Sequence, residues 1–319
     1  MTRHLAIPIA ALLASAVLLP PAPASAQEPG TAAPAAAQAA GAGPSKDTAP
    51  RAGADIFSGL ALERPECIVY DADRDRYLIA NIAGDFTAVD NNGFITAVSA
   101  DGTVDTRWIA GGQQGVTLDA PKGMAVDKGR LVVADINHVR VFDLASGRPL
   151  GDYEIAEAHF LNDVAVDAEG TIYVTDTGTD SEPGGVFRLT THHQLSLLSG
   201  GADLKRPNGI ALRADGNLVV AGFGGAEVMV IGTDGRRHDA LALPEGRLDG
   251  LLVRDDGSML VTSWDGGSLV EVGADGAVRV LATGLEQPAC ITLDRDGTRV
   301  LVPEVEAGRI TAVDIPAAE

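Results

Sequence analysis

The sequence predicts an all-β protein, folded as a six-bladed β-propeller. Three observations carry that expectation. A pattern of two short apolar runs around an acidic or glycine turn occurs six times. The copies follow one another at intervals of roughly 40–56 residues. No long helix-period segment with caps follows the N-terminal region. Sheets of about four strands repeating near every forty residues are the mark of a propeller. A β-sandwich, the structural rival, does not predict six spaced copies.

The elements follow in chain order. Residues 1–26 read as a secretory signal peptide: Arg3 and His4, then an apolar stretch from Leu5 to Leu19, then Ala24-Ser25-Ala26 as a small-residue cleavage site. That stretch is too short and too broken by proline to span a bilayer, and no later segment is long and apolar enough to do so. Export to the periplasm or medium is the expectation. Residues 27–54 are rich in Ala, Pro and Gly, have little to bury, and read as a disordered linker. Residues 55–319 are then the propeller, a size that one all-β domain commonly reaches.

The six copies open at Pro65, Pro121, Leu161, Pro207, Leu248 and Pro288. Turns such as "RADGN", "RDDGS", "DAEGT" and "DRDGT" join the two runs of a copy, because Asp and Gly tolerate tight hairpin backbones. Alternating segments such as "GGVFRLT" and "GRITAVDI" add outer strands. The last copy has only about three strands before the C-terminus, so Asp55–Leu62 is expected to supply the missing outer strand and close the ring.

The second residue of each copy is Glu66, Lys122, Asn162, Asn208, Asp249 and Ala289. In a propeller the first strand of each blade borders the central channel, so these six positions form one ring near one mouth. Two carboxylates and two amides converging there need a cation, protons or water to satisfy them. The bland alternative is that each Asn or Asp before Gly is a turn residue bonded to its own backbone. The second runs end at Asn81, Asp135, Asp176, Gly222, Ser263 and Glu304, which a hairpin brings back to the same mouth as an outer layer of the site.

These residues resemble the senescence-marker-protein, gluconolactonase and regucalcin-like family of six-bladed propellers over most of Pro65 to Ile315. Glu66 with Tyr70 four residues later, Leu161-Asn162-Asp163, Asn208-Gly209 and Asp249-Gly250 match that family's blade openings in order and spacing. The resemblance implies one divalent cation held by Glu66, Asn208 and Asp249, with Asn162 nearby. Oxygen donors suit calcium first, with magnesium, manganese or zinc as alternatives. It also implies a small-molecule substrate, a lactone or related ester, with Asp249 positioning or deprotonating water and Asn162 contacting substrate.

Two departures stand out. Lys122 sits in the ring, where its ammonium either weakens or replaces the cation or stabilises an oxyanion. Phe160 stands where the sugar-lactone enzymes carry a basic contact. The "PE" and "PKG" openings resemble an exported bacterial branch. The rival reading is a non-enzymatic ligand- or protein-binding propeller, strictosidine-synthase-like or NHL-like.

A net charge of −20 argues against nucleic acid as a partner. Nothing in the sequence specifies an oligomeric state. His192-His193 reads as exposed, and "HExxH" and "GxSxG" are absent. Trp264 is placed at the pocket rim or between blades. Two cysteines, Cys67 and Cys290, are too few for a thiolate zinc site, and equivalent positions in adjacent blades are expected to sit too far apart to pair.

Overall fold

In a computed structural model the described residues are 53–316. The expected signal peptide and nearly all of the expected linker lie outside them. The chain forms six antiparallel sheets, five of four strands and one of three, with strands ordered as they occur in sequence. This is the six-bladed propeller. The innermost strands are Pro65–Asp71, Pro121–Asp127, Leu161–Val166, Pro207–Leu212, Leu248–Val253 and Thr292–Leu293. Those of neighbouring blades pack side by side around the axis.

Alternation along each strand explains why the second runs are almost continuously apolar. In Arg130–Asp135, Leu131 and Val133 point into the layer shared with blade 1, while Val132 and Ala134 point into the layer shared with blade 3. Both faces of a blade are therefore buried, as the two-residue period of a strand requires. Five such layers join successive blades, and a sixth joins blade 6 to blade 1 through Ile68, Ile79 and Val98 against Leu301 and Ile310.

Closure differs in detail from the sequence expectation. The three-stranded blade 6 ends at Arg309–Asp314. Against its outer edge Asp55 makes one antiparallel bridge with Thr311, flanked by hydrogen bonds from Ala312 N to Ala54 O (3.1 Å) and from Ile56 N to Ile310 O (3.2 Å). The chain then turns away, and Ile56, Phe57, Leu60 and Leu62 cover the layer between blades 6 and 1. A short clasp and an apolar cover thus stand where a full strand was expected.

The second difference is a correction. Cys67 and Cys290 form a disulfide, with Cα atoms 4.6 Å apart. Equivalent positions in adjacent blades were expected to lie too far apart to pair, a spacing that does not hold for the innermost strands. At the axis the blades converge: Cys67 and Cys290 form a parallel bridge, and Cys290 N donates to Glu66 O (3.0 Å).

Candidate functional site

The site is built by an irregularity common to the innermost strands. The ladder between first and second strands slips at the opening of blades 1 to 5, between Pro65 and Cys67 in blade 1 and between Leu248 and Leu251 in blade 5. A bulge leaves its residues out of the regular pairing and re-aims their side chains. The second and third residues of the copy occupy it in blades 2 to 5, and Glu66 alone in blade 1.

Side-chain hydroxyls then hold the loosened backbone. Thr175 Oγ1 donates to Asn208 O (2.5 Å), Thr177 Oγ1 donates to Pro207 O (2.8 Å), and Thr262 Oγ1 accepts from Gly250 N (2.7 Å).

The third position sets how closely the blades approach. A Cβ on Gly209 would lie 2.2 Å from Asp249 O, and one on Gly250 would lie 2.2 Å from Ala289 O. Only glycine admits the next blade's backbone there. Where the third residue is Asp163, its carboxylate accepts instead from Ile210 N of blade 4 (3.1 Å) and from Val164 N (2.8 Å). In blades 1 and 6 it is the disulfide pair.

Held this way, the second-position side chains converge. Glu66, Asn162, Asn208 and Asp249 are all buried, yet all four line one cavity of about 230 Å³. Asn208 Nδ2 donates to Asp249 Oδ2 (3.2 Å). Burial, and then the neighbouring Asp163 carboxylate, push Asp249 up to about 8. Burial pushes Glu66 well above the usual range, with Asp249 adding to the rise and Lys122 opposing it. Asp163, buried beneath the cavity, is pushed up by burial to about 7. Three carboxyls crowded without solvent cannot all ionise unaided.

Two acceptor oxygens, Glu66 Oε2 and Asp249 Oδ1, are buried and meet no hydrogen-bond partner. Leaving such atoms bare is costly, so the arrangement suits a proton or a bound cation. Among the described residues no cluster of three or more His, Cys, Asp or Glu side chains could hold a metal. The oxygen set here is of another kind, two carboxylates completed by amides.

The rest of the wall is apolar and cationic. Phe86, Phe160, Phe223 and Trp264 face the cavity, and Arg206 and Arg247 stand over it. Phe223 and Trp264 meet edge to face, with centroids 5.2 Å apart.

Lys122 is in the ring but not in the cavity wall. Its ammonium is fully buried, donates to Ala120 O (3.0 Å) and lies 4.4 Å from the centre of the Phe160 ring. Burial pulls it down to about 8, while Glu66, Asp135 and Asp85 favour its charged form. Phe160, against which this charge lies, lines the cavity, and Lys122 acts on Glu66 through its field. Ala289, the sixth member, is buried and apolar.

A scan against protein families matches the SMP-30/Gluconolactonase/LRE-like region over residues 64–302. The chain belongs to this family. A comparison with curated protein sequences gives no match. Among solved structures, a gluconolactonase from Xanthomonas campestris is similar at 21% identity and a TM-score of 0.61, covering 80% of this chain and 87% of that one. A calcium-binding regucalcin from Agrobacterium tumefaciens is similar at 16% identity and a TM-score of 0.60, covering 84% and 95%. A virginiamycin B lyase from Staphylococcus aureus is similar at 12% identity and a TM-score of 0.60, covering 83% and 98%. Likeness at these identities establishes the shared propeller, which carries more than one chemistry.

In this SMP-30/gluconolactonase/LRE-like protein the second column forms an outer layer behind the cavity. Asn81, Asp135, Asp176, Gly222, Ser263 and Glu304 each pair with the first residue of their own inner strand, but none lines the cavity. All but Gly222, which has no side chain, hold the loop that leads into the blade. Asn81 Oδ1 accepts from Glu63 N (2.9 Å), Asp135 Oδ1 from Ala120 N (2.7 Å), Asp176 Oδ1 from Phe160 N (2.8 Å) and Glu304 Oε2 from Glu286 N (2.6 Å). Ser263 Oγ donates to Gly246 O (2.7 Å). These residues stand at the expected end of the blade, and the side chains of all but Gly222 turn towards the lead-in loops.

Sequence reasoning missed Asp163, Arg206, Arg247, Phe86 and Phe223. The signal for the two arginines was present. They occupy one position in two copies, the residue immediately before the inner strand.

Proposed function

We propose that this protein is a divalent-metal-dependent hydrolase of a lactone or related ester, acting at the mouth of the propeller channel. The supporting observation is the pair of buried, partnerless oxygens, Glu66 Oε2 and Asp249 Oδ1, on residues that share one cavity. Carboxylate and amide oxygens fit a hard cation, calcium first. Glu66, Asn208 and Asp249 would hold it, with Asn162 beside them. Such a cation supplies Lewis-acid polarisation of a carbonyl when bound.

The chain's own residues supply the rest. Asn208 orients the Asp249 carboxylate through the Nδ2 hydrogen bond to Oδ2, so that Asp249 would position water or accept its proton. Asn162, with an amide facing the cavity, orients substrate. Phe86, Phe160 and Phe223 exclude bulk water and so strengthen every charge interaction inside. We further propose export to the periplasm or medium. The reading of residues 1–26 supports this, and a structural disulfide suits an oxidising compartment.

Lys122 favours a second reading, a binding propeller without chemistry. Its buried ammonium opposes the ionic repulsion around Glu66, which is a cation's task. A panel of lactones and aryl esters separates the two. Hydrolysis that stops in chelator, returns with calcium or manganese, and is lost in Glu66→Gln and Asp249→Asn supports the hydrolase. No turnover of any member with either ion, together with unchanged ligand binding in chelator, supports the binding protein.

A further inference from the structure

We propose that the ligand of this cavity is an anion with an apolar body, and that Arg206 and Arg247 receive its carboxylate. This rests on the cavity being the functional site, and it narrows the substrate to a class. The cavity is divided by polarity. Its floor carries the orphaned acceptors of Glu66 and Asp249, while its rim carries orphaned donors.

Arg206 and Arg247 precede the inner strands of blades 4 and 5. Both adopt left-handed backbone, with φ of 57° and 51°, a conformation uncommon outside glycine. Each is fixed by its own blade: Phe223 N donates to Arg206 O (2.9 Å) and Trp264 N donates to Arg247 O (3.1 Å). The repeat thus aims both guanidinium groups over the mouth, and neither is used up by the fold. Arg206 Nε is buried with no acceptor, and its one ion pair among the described residues is to Asp180, whose side chain is 96% exposed. A pair so exposed is worth about 0–1 kcal/mol and is readily exchanged. The Arg247 guanidinium makes no hydrogen bond or ion pair among the described residues. Its guanidinium lies 4.8 Å from the Phe223 ring centre and 4.9 Å from that of Trp264. Stacking fixes the plane and leaves the N–H edge free for a planar oxyanion.

The same position in blade 1 is a control within the fold. Arg64 donates to Gly84 O (2.8 Å) and pairs with Glu306, so it is occupied.

The walls name the remainder of the ligand. Phe86, Phe160, Phe223 and Trp264 give the walls an aromatic surface that suits an aromatic or acyl group. A lactone or ester bearing a carboxylate and an apolar body therefore fits, with the carboxylate at the rim and the ester carbonyl towards Asp249.

The test is binding, so it stands apart from turnover. Phenylacetate and phenylacetamide, matched in shape, are titrated by calorimetry into the full-length protein in calcium-containing buffer. The carboxylate is expected to bind about ten- to a hundredfold more tightly than the amide, the scale of a charged hydrogen bond. Arg206→Gln combined with Arg247→Gln should bring the two ligands within about threefold. Arg247→Lys, which keeps the charge but loses the fork, should fall between them. Equal binding of acid and amide by the native protein overturns the proposal. So does a preference that survives in the double variant, since the anion would then be held by a cation at Glu66 and Asp249. Loss of the preference in the variants of a protein that hydrolyses no lactone upholds this assignment and sinks only the hydrolase reading. Turnover of neutral lactones with no anion preference does the reverse.

Discussion

The buried carboxyls make stability depend on pH in a direction opposite to ordinary acid denaturation, as long as no cation is bound. Asp249 has an ordinary value of 3.8 and is pushed up to about 8 in the fold, first by burial and then by Asp163. In the unfolded chain it ionises near its ordinary value. The folded state therefore keeps a proton that the unfolded state releases between these limits. The contribution to stability is fully present below the unfolded value and is lost as pH rises through the folded one. A span of about four pH units at ~1.4 kcal/mol each sets a ceiling on the order of 5 kcal/mol. Sharing of the proton with Glu66 and Asp163 lowers this to about 2–4 kcal/mol. The assay is thermal unfolding of chelated protein at pH 5 and pH 8, with the melting temperature expected to fall by about 5–15 °C between them. Asp249→Asn, which cannot ionise, should flatten much of the slope and be the more stable protein at pH 8. Calcium should restore the native protein at pH 8 by preferential binding to the folded state. Equal stability of chelated native protein at both pH values, or an Asp249→Asn variant that falls just as steeply, would refute the reasoning.

Three further outcomes follow from the fold. Cys67 and Cys290 close a loop with a sequence separation of 223; replacing both with Ala should cost about 2–5 kcal/mol, read as a lower melting temperature that reductant no longer changes. Gly250→Ala places a Cβ 2.2 Å from Ala289 O and should destabilise by about 1–3 kcal/mol, with calcium affinity falling as Asp249 shifts. Deletion up to residue 63 removes the clasp at Asp55 and the cover of Ile56, Phe57, Leu60 and Leu62; a loss of about 3–5 kcal/mol is expected, and a native melting temperature would show that closure lies elsewhere.

The six blades were legible because each buries both faces of its second strand, and that demand writes an apolar run at the same place in every copy, such as "RLVVAD" in the second and "NLVVAG" in the fourth. The ring of second residues was legible for a related reason. A polar residue that varies inside an invariant frame is answering to something shared at the axis. Side-chain direction was not legible. Asp135 and Asp176 have the composition of a ligand layer, and only the hydrogen bonds to their lead-in loops show that they shape the mouth without entering it. Lys122 was placed in the ring correctly but could not be seen to lie against Phe160. The disulfide was misjudged because strand spacing in a propeller shrinks towards the axis, a property of the ring and not of either strand.

The most direct test of a shared cation site is calorimetric titration of calcium into chelated protein. One ion per chain, with binding abolished in Glu66→Gln and in Asp249→Asn and weakened in Asn208→Ala, is the expected result. Binding that persists unchanged in both carboxylate variants, or no binding of calcium, magnesium, manganese or zinc by the native protein, would contradict it.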